Sequence, residues 1–341
     1  MAQYILNMGG NTSGSTYFNA VDVFQVTTRG VTKVQNHGLA LSVARNTLTA
    51  ASCGNYILAM GGYNGNTSTY LNTVDVFKIT DNGVEAVQNH GLTLSVARHA
   101  LSSASCGNYI LAMGGYGGVN FSNAVDVFQV TTNGVTKISN HGLSLSVARN
   151  GLTAASCGNY ILAMGGLTAS NASSNVVDVF KVTTNGVEAV QNHGLSLSVA
   201  RNALTAASVG NYILAMGGSY RNTSGSGYSD AVDVFKVTEN GVEVVQNHGL
   251  TLSEARNDFA AVSCGRYVLA MGGNNSNVCS NVVDVFEVTD NGVTKVQNHG
   301  LSLSEARSFL TAASVGNYIL AMGGLRVGTF YNTVDIFQCF E

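Results

Sequence analysis

Histidine recurs along the chain in a pattern that could bind a metal, because imidazole is the commonest side-chain ligand for transition metals. Six of the seven histidines stand in Asn-His-Gly tripeptides: His37, His90, His141, His193, His248 and His299. Each belongs to a different copy of a repeat, so neighbours should lie more than about 10 Å apart, whereas ligands of one metal lie about 2 Å from it. We therefore predict a structural role, with each imidazole hydrogen-bonded inside its own turn. His99 replaces the Asn of positions such as Asn150, and we interpret it as incidental.

Arginine and aspartate also recur at fixed positions. The arginines are Arg45, Arg98, Arg149, Arg201, Arg256 and Arg307. The aspartates, each following a valine, are Asp22, Asp75, Asp126, Asp178, Asp233, Asp284 and Asp335. A ring of arginines around a channel could trap an anion. We favour structural roles for both sets, because a group present in every copy serves the fold, whereas an active site would break the symmetry.

No repeat copy adds a set of residues that could do catalysis. Catalysis needs a local constellation, such as a nucleophile with its base, two carboxylates at working distance or a metal with an open position. No copy departs from its siblings in that way. We therefore expect no catalytic residue, no metal ligand and no cofactor, and we do not expect an enzyme.

Four of the six cysteines share one repeat position. They are Cys53, Cys106, Cys157 and Cys264. Val209 and Val315 fill that position in two other copies, which indicates a packed apolar site where Cys acts as a small hydrophobic residue. We predict free buried thiols there. Cys279 and Cys339 fall outside the pattern, and the sequence does not decide whether they pair.

The elements that position these residues belong to a tandem repeat marked by Asn-Tyr-Ile-Leu-Ala-Met-Gly-Gly, as at residues 159–166. The glycine pairs begin at Gly9, Gly61, Gly114, Gly165, Gly217, Gly272 and Gly323. The spacing of about 50 residues indicates one supersecondary unit repeated along the whole chain.

One copy, residues 198–248, illustrates the unit. A small-residue segment ends at Gly210-Asn211, which predicts a tight hairpin into the apolar strand 212–216. After the glycine pair and a variable loop, residues 231–238 alternate apolar and polar side chains as a half-buried strand does. Asn240-Gly241 predicts another hairpin, into a fourth strand at 242–246. Four antiparallel strands per repeat are typical of a β-propeller blade.

The apolar run with its double glycine, the later strand ending in Phe235 and the arginine before the small-residue strand (Arg201) resemble the kelch motif. The resemblance covers the whole chain and implies an all-β, kelch-like propeller with the small-residue strand innermost. It also implies that each arginine ties its blade to a neighbour through backbone carbonyls, a task that suits a guanidinium with five donors. The chain departs from the family in having no Trp and no Pro. Nothing in it reproduces the copper site or the acid/base pair of the family's enzymes.

The number of blades depends on how the ring closes. The small-residue strand and the fourth strand occur six times, whereas the second and third strands occur seven times. We favour six blades, with N- and C-terminal strands meeting at closure and one hairpin surplus, either residues 1–28 or residues 317–341. The alternative is seven blades, of which the first lacks its inner strand and the last its outer strand. In both cases we expect 1–341 to be a single domain.

The loops after the glycine pairs differ between copies, and specificity tends to reside on such loops. The Asn-x-Ser/Thr triplets fall only there, at Asn11, Asn66, Asn120, Asn171, Asn222 and Asn274. In a secreted protein they would carry glycans; alternatively, loops rich in Asn, Ser and Thr produce such triplets by chance. Loop tyrosines that could stack on sugars are Tyr63, Tyr116, Tyr220 and Tyr228.

Composition narrows the class of partner. Charged residues make up 10% of the chain and hydrophobic residues 45%, which excludes ordinary disorder. The net charge of −3, with no basic cluster, argues against nucleic acid. The apolar runs are far shorter than the roughly 20 residues needed for membrane insertion. The sequence starts directly in a repeat, so we expect that a secretion leader is either absent or already removed.

These features together predict a non-enzymatic structural or interaction protein. We interpret it as a glycosylated surface component that assembles with itself, since the outer strands carry little charge to prevent edge pairing. The alternatives are a carbohydrate-binding propeller, an intracellular kelch-type adaptor and an artificial consensus repeat protein. The expected partner is protein, self or other, or a carbohydrate. The location is secreted or surface if the glycosylation triplets are used, and cytoplasmic otherwise.

Overall fold

The computed structural model describes residues 3–12, 16–276 and 278–339. Within these ranges the chain forms β-strands and turns and contains no helix. The search for a helix that is long and apolar enough to span a membrane finds none in this part of the chain. The main strands form seven antiparallel sheets, which we number as blades 1–7 in chain order.

A complete blade is a meander of four strands, which we name inner, second, third and outer. The inner strands are Thr49–Cys53, Ser102–Cys106, Thr153–Cys157, Thr205–Val209, Ala260–Cys264 and Thr311–Val315. The second strands are Gln3–Met8, Tyr56–Met60, Tyr109–Met113, Tyr160–Met164, Tyr212–Met216, Tyr267–Met271 and Tyr318–Met322. The third strands are Val21–Thr27, Val74–Thr80, Val125–Thr131, Val177–Thr183, Val232–Thr238, Val283–Thr289 and Val334–Gln338. The outer strands are Gly30–Lys33, Gly83–Val87, Gly134–Ile138, Gly186–Val190, Gly241–Val244 and Gly292–Val296.

Short pairs of strands form within the loops that connect the second and third strands. The loop pairs are Tyr63–Asn64 with Thr69–Tyr70, Ser219–Asn222 with Gly225–Tyr228, Asn274–Asn275 with Val278–Cys279, and Leu325–Arg326 with Thr329–Phe330. In blade 4 the loop strand Leu167–Thr168 pairs instead with Arg149–Asn150, just before the inner strand. All these loops lie at one edge of the sheets, which we call the loop face.

The core lies between neighbouring blades. Second-strand residues such as Leu162 and Met164 of blade 4 are fully buried, and they share one hydrophobic cluster with Ile213 and Phe235 of blade 5. Burial of each such side chain contributes roughly 1.5–3 kcal/mol. Because every blade completes the core of the next, the repeats stabilise one another around the ring.

The expectation of six blades was wrong, and the seven-blade alternative is the observed one. In the described part of the chain, blades 2–6 have four strands, blade 1 has no inner strand and blade 7 has no outer strand. No hairpin is surplus among the described residues. With residues 1–28 surplus, the outer strand Gly30–Lys33 would lose its observed partner Val21–Thr27. With residues 317–341 surplus, the inner strand Thr311–Val315 would have to pair with Gln3–Met8. That strand pairs instead with Tyr318–Met322, across the two-residue turn at Gly316-Asn317, so the local hairpin prevails over the long-range pairing.

The ring closes where blade 7 meets blade 1, a boundary that we call the seam. The inner strand Thr311–Val315 of blade 7 contacts the first described strand, Gln3–Met8. Ile5 and Phe24 of blade 1 pack with Leu320 and Met322 of blade 7 in one buried cluster. The meeting of N- and C-terminal strands at closure is therefore observed.

One cysteine expected to be free is paired: Cys264 forms a disulfide with Cys339. At the equivalent boundary, Cys53 of blade 2 packs in one cluster with Val130 of blade 3. In blade 7 the position of Val130 is occupied by Cys339. Two thiols therefore meet between blades 6 and 7, whereas a thiol and a valine meet between blades 2 and 3. The other cysteines are free, namely Cys53, Cys106 and Cys157, which are buried, and Cys279, which is half-buried.

Candidate functional site

The repeated arginines fasten strands within their own blades. Arg98 is fully buried, and its Nη2 donates to the Ala112 carbonyl at 3.0 Å and to Asp126 Oδ2 at 2.7 Å. Asp126 Oδ1 accepts the amide of Ser95 at 2.8 Å. The expected link to a neighbouring blade is made by the backbone instead, since the Arg98 carbonyl accepts the Gly62 amide of the preceding blade at 2.9 Å.

This arrangement argues against an anion-binding site formed by the arginines. Each of the six side chains is buried and lies against the aspartate of its own blade. Burial alone would raise the pKa of Asp126, but the charges of Arg98 and Lys137 outweigh burial and lower it below its usual value. The carboxylate therefore neutralises the guanidinium, and the pair holds the strands together.

Each repeated histidine stabilises its own turn. His37 Nδ1 accepts the amide of Leu39 at 3.1 Å, and the other five accept the amide two residues later in the same way. The asparagine before each histidine has a positive φ, 55° at Asn36, a conformation that Asn tolerates well. Across the described ranges, no three His, Cys, Asp or Glu residues come together as a metal site would require.

The symmetry breaks on the loop face of blades 1–3, where six rings form a continuous row. We call this row the aromatic ladder; its members are Tyr17, Tyr63, Tyr70, His99, Tyr116 and Phe121. Neighbouring ring centroids lie 5.0 Å apart for Tyr63 and Tyr70, 5.2 Å for Tyr70 and His99, and 5.3 Å for Tyr116 and Phe121. All six side chains are half-buried, so the ladder is both packed and accessible.

Short backbone bridges place these rings side by side. Tyr63 pairs with Tyr70 across the loop of blade 2. His99 pairs with Tyr116, and Tyr116 also pairs with Phe121, in blade 3. Cross-strand partners lie close enough for aromatic rings to touch. The ladder therefore follows from aromatic residues at paired positions in two successive loops.

Two glycines allow the ladder to cross blade boundaries. The Tyr17 ring of blade 1 lies against Gly65 of blade 2, and the Tyr70 ring of blade 2 lies against Gly118 of blade 3. A Cβ atom at either glycine would overlap the ring. The absence of a side chain at these two positions is therefore what lets one blade's tyrosine cover the next blade's loop.

His99 lies at the centre of the ladder, which corrects its interpretation as incidental. Its ring contacts Tyr63, Tyr70 and Tyr116, and its Nδ1 lies 3.1 Å from Thr47 Oγ1. Burial lowers the pKa of His99, which favours the neutral form of the ring. Sequence reasoning named Tyr63 and Tyr116 but missed the other rings. The number of aromatic residues gave no signal, because the loops of blades 5 and 7 hold two each, as the first three loops do.

Tyr220 and Tyr228 lie elsewhere, in a hairpin of blade 5. Tyr228 pairs with Ser219, and the Tyr220 ring lies against Gly227 of the same hairpin. Neither ring contacts the ladder. The structure therefore divides the four named tyrosines into two groups, of which only one forms an extended aromatic surface.

The glycosylation triplets differ in accessibility. Asn66, Asn120, Asn171 and Asn222 are exposed. Asn11 and Asn274 are half-buried in backbone bridges, and Asn11 Oδ1 accepts a hydrogen bond from Asn46 at 3.0 Å. Asn66 and Asn120 border the ladder, since Asn66 Oδ1 accepts the Tyr17 amide at 3.4 Å and Asn120 precedes Phe121.

The repeat, the propeller and the ladder can be compared with known proteins. A family model described as the KLHDC2/KLHL20/DRC7 Kelch-repeats domain matches residues 2–166 and again residues 100–324. The two matches together span most of the chain, which therefore belongs to the kelch-repeat family. Kelch propellers are typically non-enzymatic interaction scaffolds. A search of curated proteins finds no match to the chain.

Proposed function

We propose that the chain is a non-catalytic kelch propeller that binds a protein partner through the aromatic ladder. The observation that carries this proposal is the ladder itself, six adjoining rings on the loop face of a molecule whose blades are otherwise nearly identical. Tyrosine supplies a large contact area together with a hydroxyl group, and it is enriched at protein interfaces and their hot spots.

The packing of the rings favours a protein over a sugar. A sugar stacks on a free ring face, but Tyr63 is flanked by Tyr17, Tyr70 and His99. The planes of Tyr63 and Tyr70 are tilted by 47°, and Tyr70 meets Tyr116 at 89°. The ladder therefore exposes ring edges and hydroxyl groups along a row. Such a row can contact the uneven surface of a protein.

Glycosylation would restrict this function. The exposed Asn66 and Asn120 border the ladder, so glycans there would cover part of it. A ladder that binds protein therefore requires these two asparagines to be unmodified, and intact mass of the native protein tests this. A surplus hairpin offers no route to self-assembly, because the strands that would form it belong to blades 1 and 7.

The test compares two variants by quantitative affinity purification from the native source. We expect Tyr63→Ala/Tyr116→Ala to lose the bound partner by about tenfold or more, as hot-spot truncations do. Tyr220→Ala, a loop tyrosine outside the ladder, should retain the partner. Because the double variant loses ring contacts within the ladder, its melting temperature should fall, and binding is therefore compared at a temperature at which circular dichroism shows all three proteins to be folded. Equal recovery on both variants would refute the proposal, and binding of the wild type to a glycan array that depends on Tyr63 would favour a carbohydrate.

A further inference from the structure

Four tyrosines of the aromatic ladder stand next to one another, which exposes them together to oxidation. Tyr17, Tyr63, Tyr70 and Tyr116 form a row in which neighbouring ring centroids lie 6.0, 5.0 and 5.8 Å apart. Aromatic rings at these separations are in direct contact. The chain contains no Trp, so tyrosine is the aromatic side chain that a one-electron oxidant attacks most readily.

The two central tyrosines, Tyr63 and Tyr70, are placed best for a bond between their rings. They are direct cross-strand partners in the loop of blade 2, and such partners hold their Cβ atoms about 4.5–5.5 Å apart. Their ring planes are tilted by 47°, whereas the flanking pairs meet at 78° and 89°. A bond between the ring edges therefore needs the shortest approach and the least rotation at the central pair.

The backbone holds this pair in place. The Tyr63 amide donates to the Asn46 carbonyl and the Tyr63 carbonyl accepts the Asn46 amide, both at 3.0 Å. On the other strand, the amide of Leu71, which follows Tyr70, donates to the Gly62 carbonyl at 3.0 Å. Two reacting groups that are held in contact combine far faster than groups that must first meet by diffusion.

The hydroxyl groups of the central pair are free to lose their protons. Tyr116 Oη donates to the Gly118 carbonyl at 2.5 Å, whereas the hydroxyls of Tyr63 and Tyr70 have no protein hydrogen-bond partner among the described residues. Both central side chains are half-buried, so water reaches them. Because a phenol that loses an electron becomes a strong acid, this access to water favours radical formation at the central pair.

The flanking tyrosines connect the central pair to the neighbouring blades. Tyr17 of blade 1 contacts Tyr63, and Tyr116 of blade 3 contacts Tyr70. Electron exchange between two phenols in contact is close to thermoneutral, so oxidation that begins at either flank can move to the centre. Phe121, which has no hydroxyl group, ends the row beside Tyr116.

We propose that Tyr63 and Tyr70 form an oxidative cross-linking site, at which a peroxidase supplied with hydrogen peroxide joins the two rings as dityrosine. Each phenol gives one electron to the peroxidase and one proton to water. The two radicals couple through the ring carbons next to the hydroxyl-bearing carbons, and the hydrogen on each coupled carbon moves to the phenolic oxygen. One carbon–carbon bond forms, the chain loses two hydrogen atoms, and one hydrogen peroxide becomes two water molecules.

The cross-link closes the loop of blade 2 between residues 63 and 70 and fixes the two central rings of the ladder. It modifies the surface that we propose as a protein-binding site. The reaction itself needs only the chain and the oxidant, so it does not depend on the function proposed for that surface.

The experiment treats the dilute full-length chain with peroxidase and hydrogen peroxide and follows dityrosine fluorescence. We expect a monomer that is lighter by two hydrogen atoms. Its tryptic peptide 46–78 should give no fragment ions from cleavage between residues 63 and 70, because the bond holds that segment in a ring. Tyr70→Phe keeps the ring but lacks the phenol, and it should lose most of the fluorescence. Tyr220→Phe, outside the ladder, is the matched control and should react as the wild type does.

The fragmentation result depends on the wild type alone, so it tests the proposal even if Tyr70→Phe folds poorly. Equal fluorescence from the wild type and Tyr70→Phe would overturn the proposal, as would a wild type that forms no dityrosine. A product that joins Tyr17 to Tyr63, or one chain to another, would also overturn it. None of these outcomes decides partner binding, which Tyr63→Ala/Tyr116→Ala tests separately.

Discussion

At the residue scale, Asp126 and Asp22 occupy the same repeat position in opposite surroundings. Asp126 is buried with Arg98, whereas Asp22 is half-buried and its ion-pair partner among the described residues is the exposed Lys33. We expect Asp126→Asn to lower the free energy of unfolding by about 3–5 kcal/mol, since it leaves a buried guanidinium without its counter-charge. Asp22→Asn should change it by less than about 1 kcal/mol. Urea unfolding of both variants checks this, and similar losses would contradict it.

Asp258 titrates in an unusual range, because burial raises its pKa to about 6. The folded chain therefore holds a proton that the unfolded chain releases near pH 4. The resulting stability is fully present below the unfolded pKa and is lost as pH rises through about 6. Asp258→Asn removes the titrating group and keeps a side chain that tolerates the φ of 51° at this position.

We therefore expect the stability of Asp258→Asn relative to wild type to increase between pH 4 and pH 6, by about 1–3 kcal/mol. Thermal melts at several pH values measure the difference. Above pH 7 the difference should be constant. A difference that does not change across the acidic window would show that the carboxyl titrates normally.

At the element scale, the strands could be predicted from the sequence but the ladder could not. Glycine turns and the periodicity of residues such as Tyr212 to Met216 define a strand locally, and the structure places that strand at the predicted residues. The ladder depends on contacts between separate repeats. Tyr17 touches Tyr63 across a blade boundary. The two tyrosines are 46 positions apart in the sequence (63 − 17), so no local sequence pattern indicates their contact.

The contact between Tyr17 and Gly65 gives a test of the ladder's packing. Gly65 does not have a positive φ, so a Gly65→Ala variant meets a steric obstacle, the Tyr17 ring, and no backbone strain. We expect it to destabilise the chain by about 1–3 kcal/mol, as overpacking does. In a Tyr17→Ala background the same change should cost much less. A double-mutant cycle measures this coupling, and additive effects would show that the ring does not cover Gly65.

At the scale of the whole molecule, the number of blades depends on a competition that the sequence does not decide. Nearly identical strands compete to pair with Gln3–Met8, and the preference of Thr311–Val315 for its own hairpin leaves blade 1 with three strands. Among the described residues, blade 7 has no outer strand. The disulfide between Cys264 and Cys339 holds the third strand of blade 7 against blade 6.

This disulfide should contribute strongly to the stability of the closed ring. It joins residues separated by 75 positions, so the loop-entropy model gives a stabilisation of roughly 4 kcal/mol. We expect a reductant to lower the unfolding midpoint of the wild type but not that of Cys264→Val/Cys339→Val. That variant restores the valine pairing found at Val209 and Val288. Cys53→Val/Cys106→Val, which replaces two free buried thiols, is the matched control and should respond to reductant as the wild type does. A wild-type midpoint that is the same with and without reductant would show that the disulfide between blades 6 and 7 does not stabilise the fold.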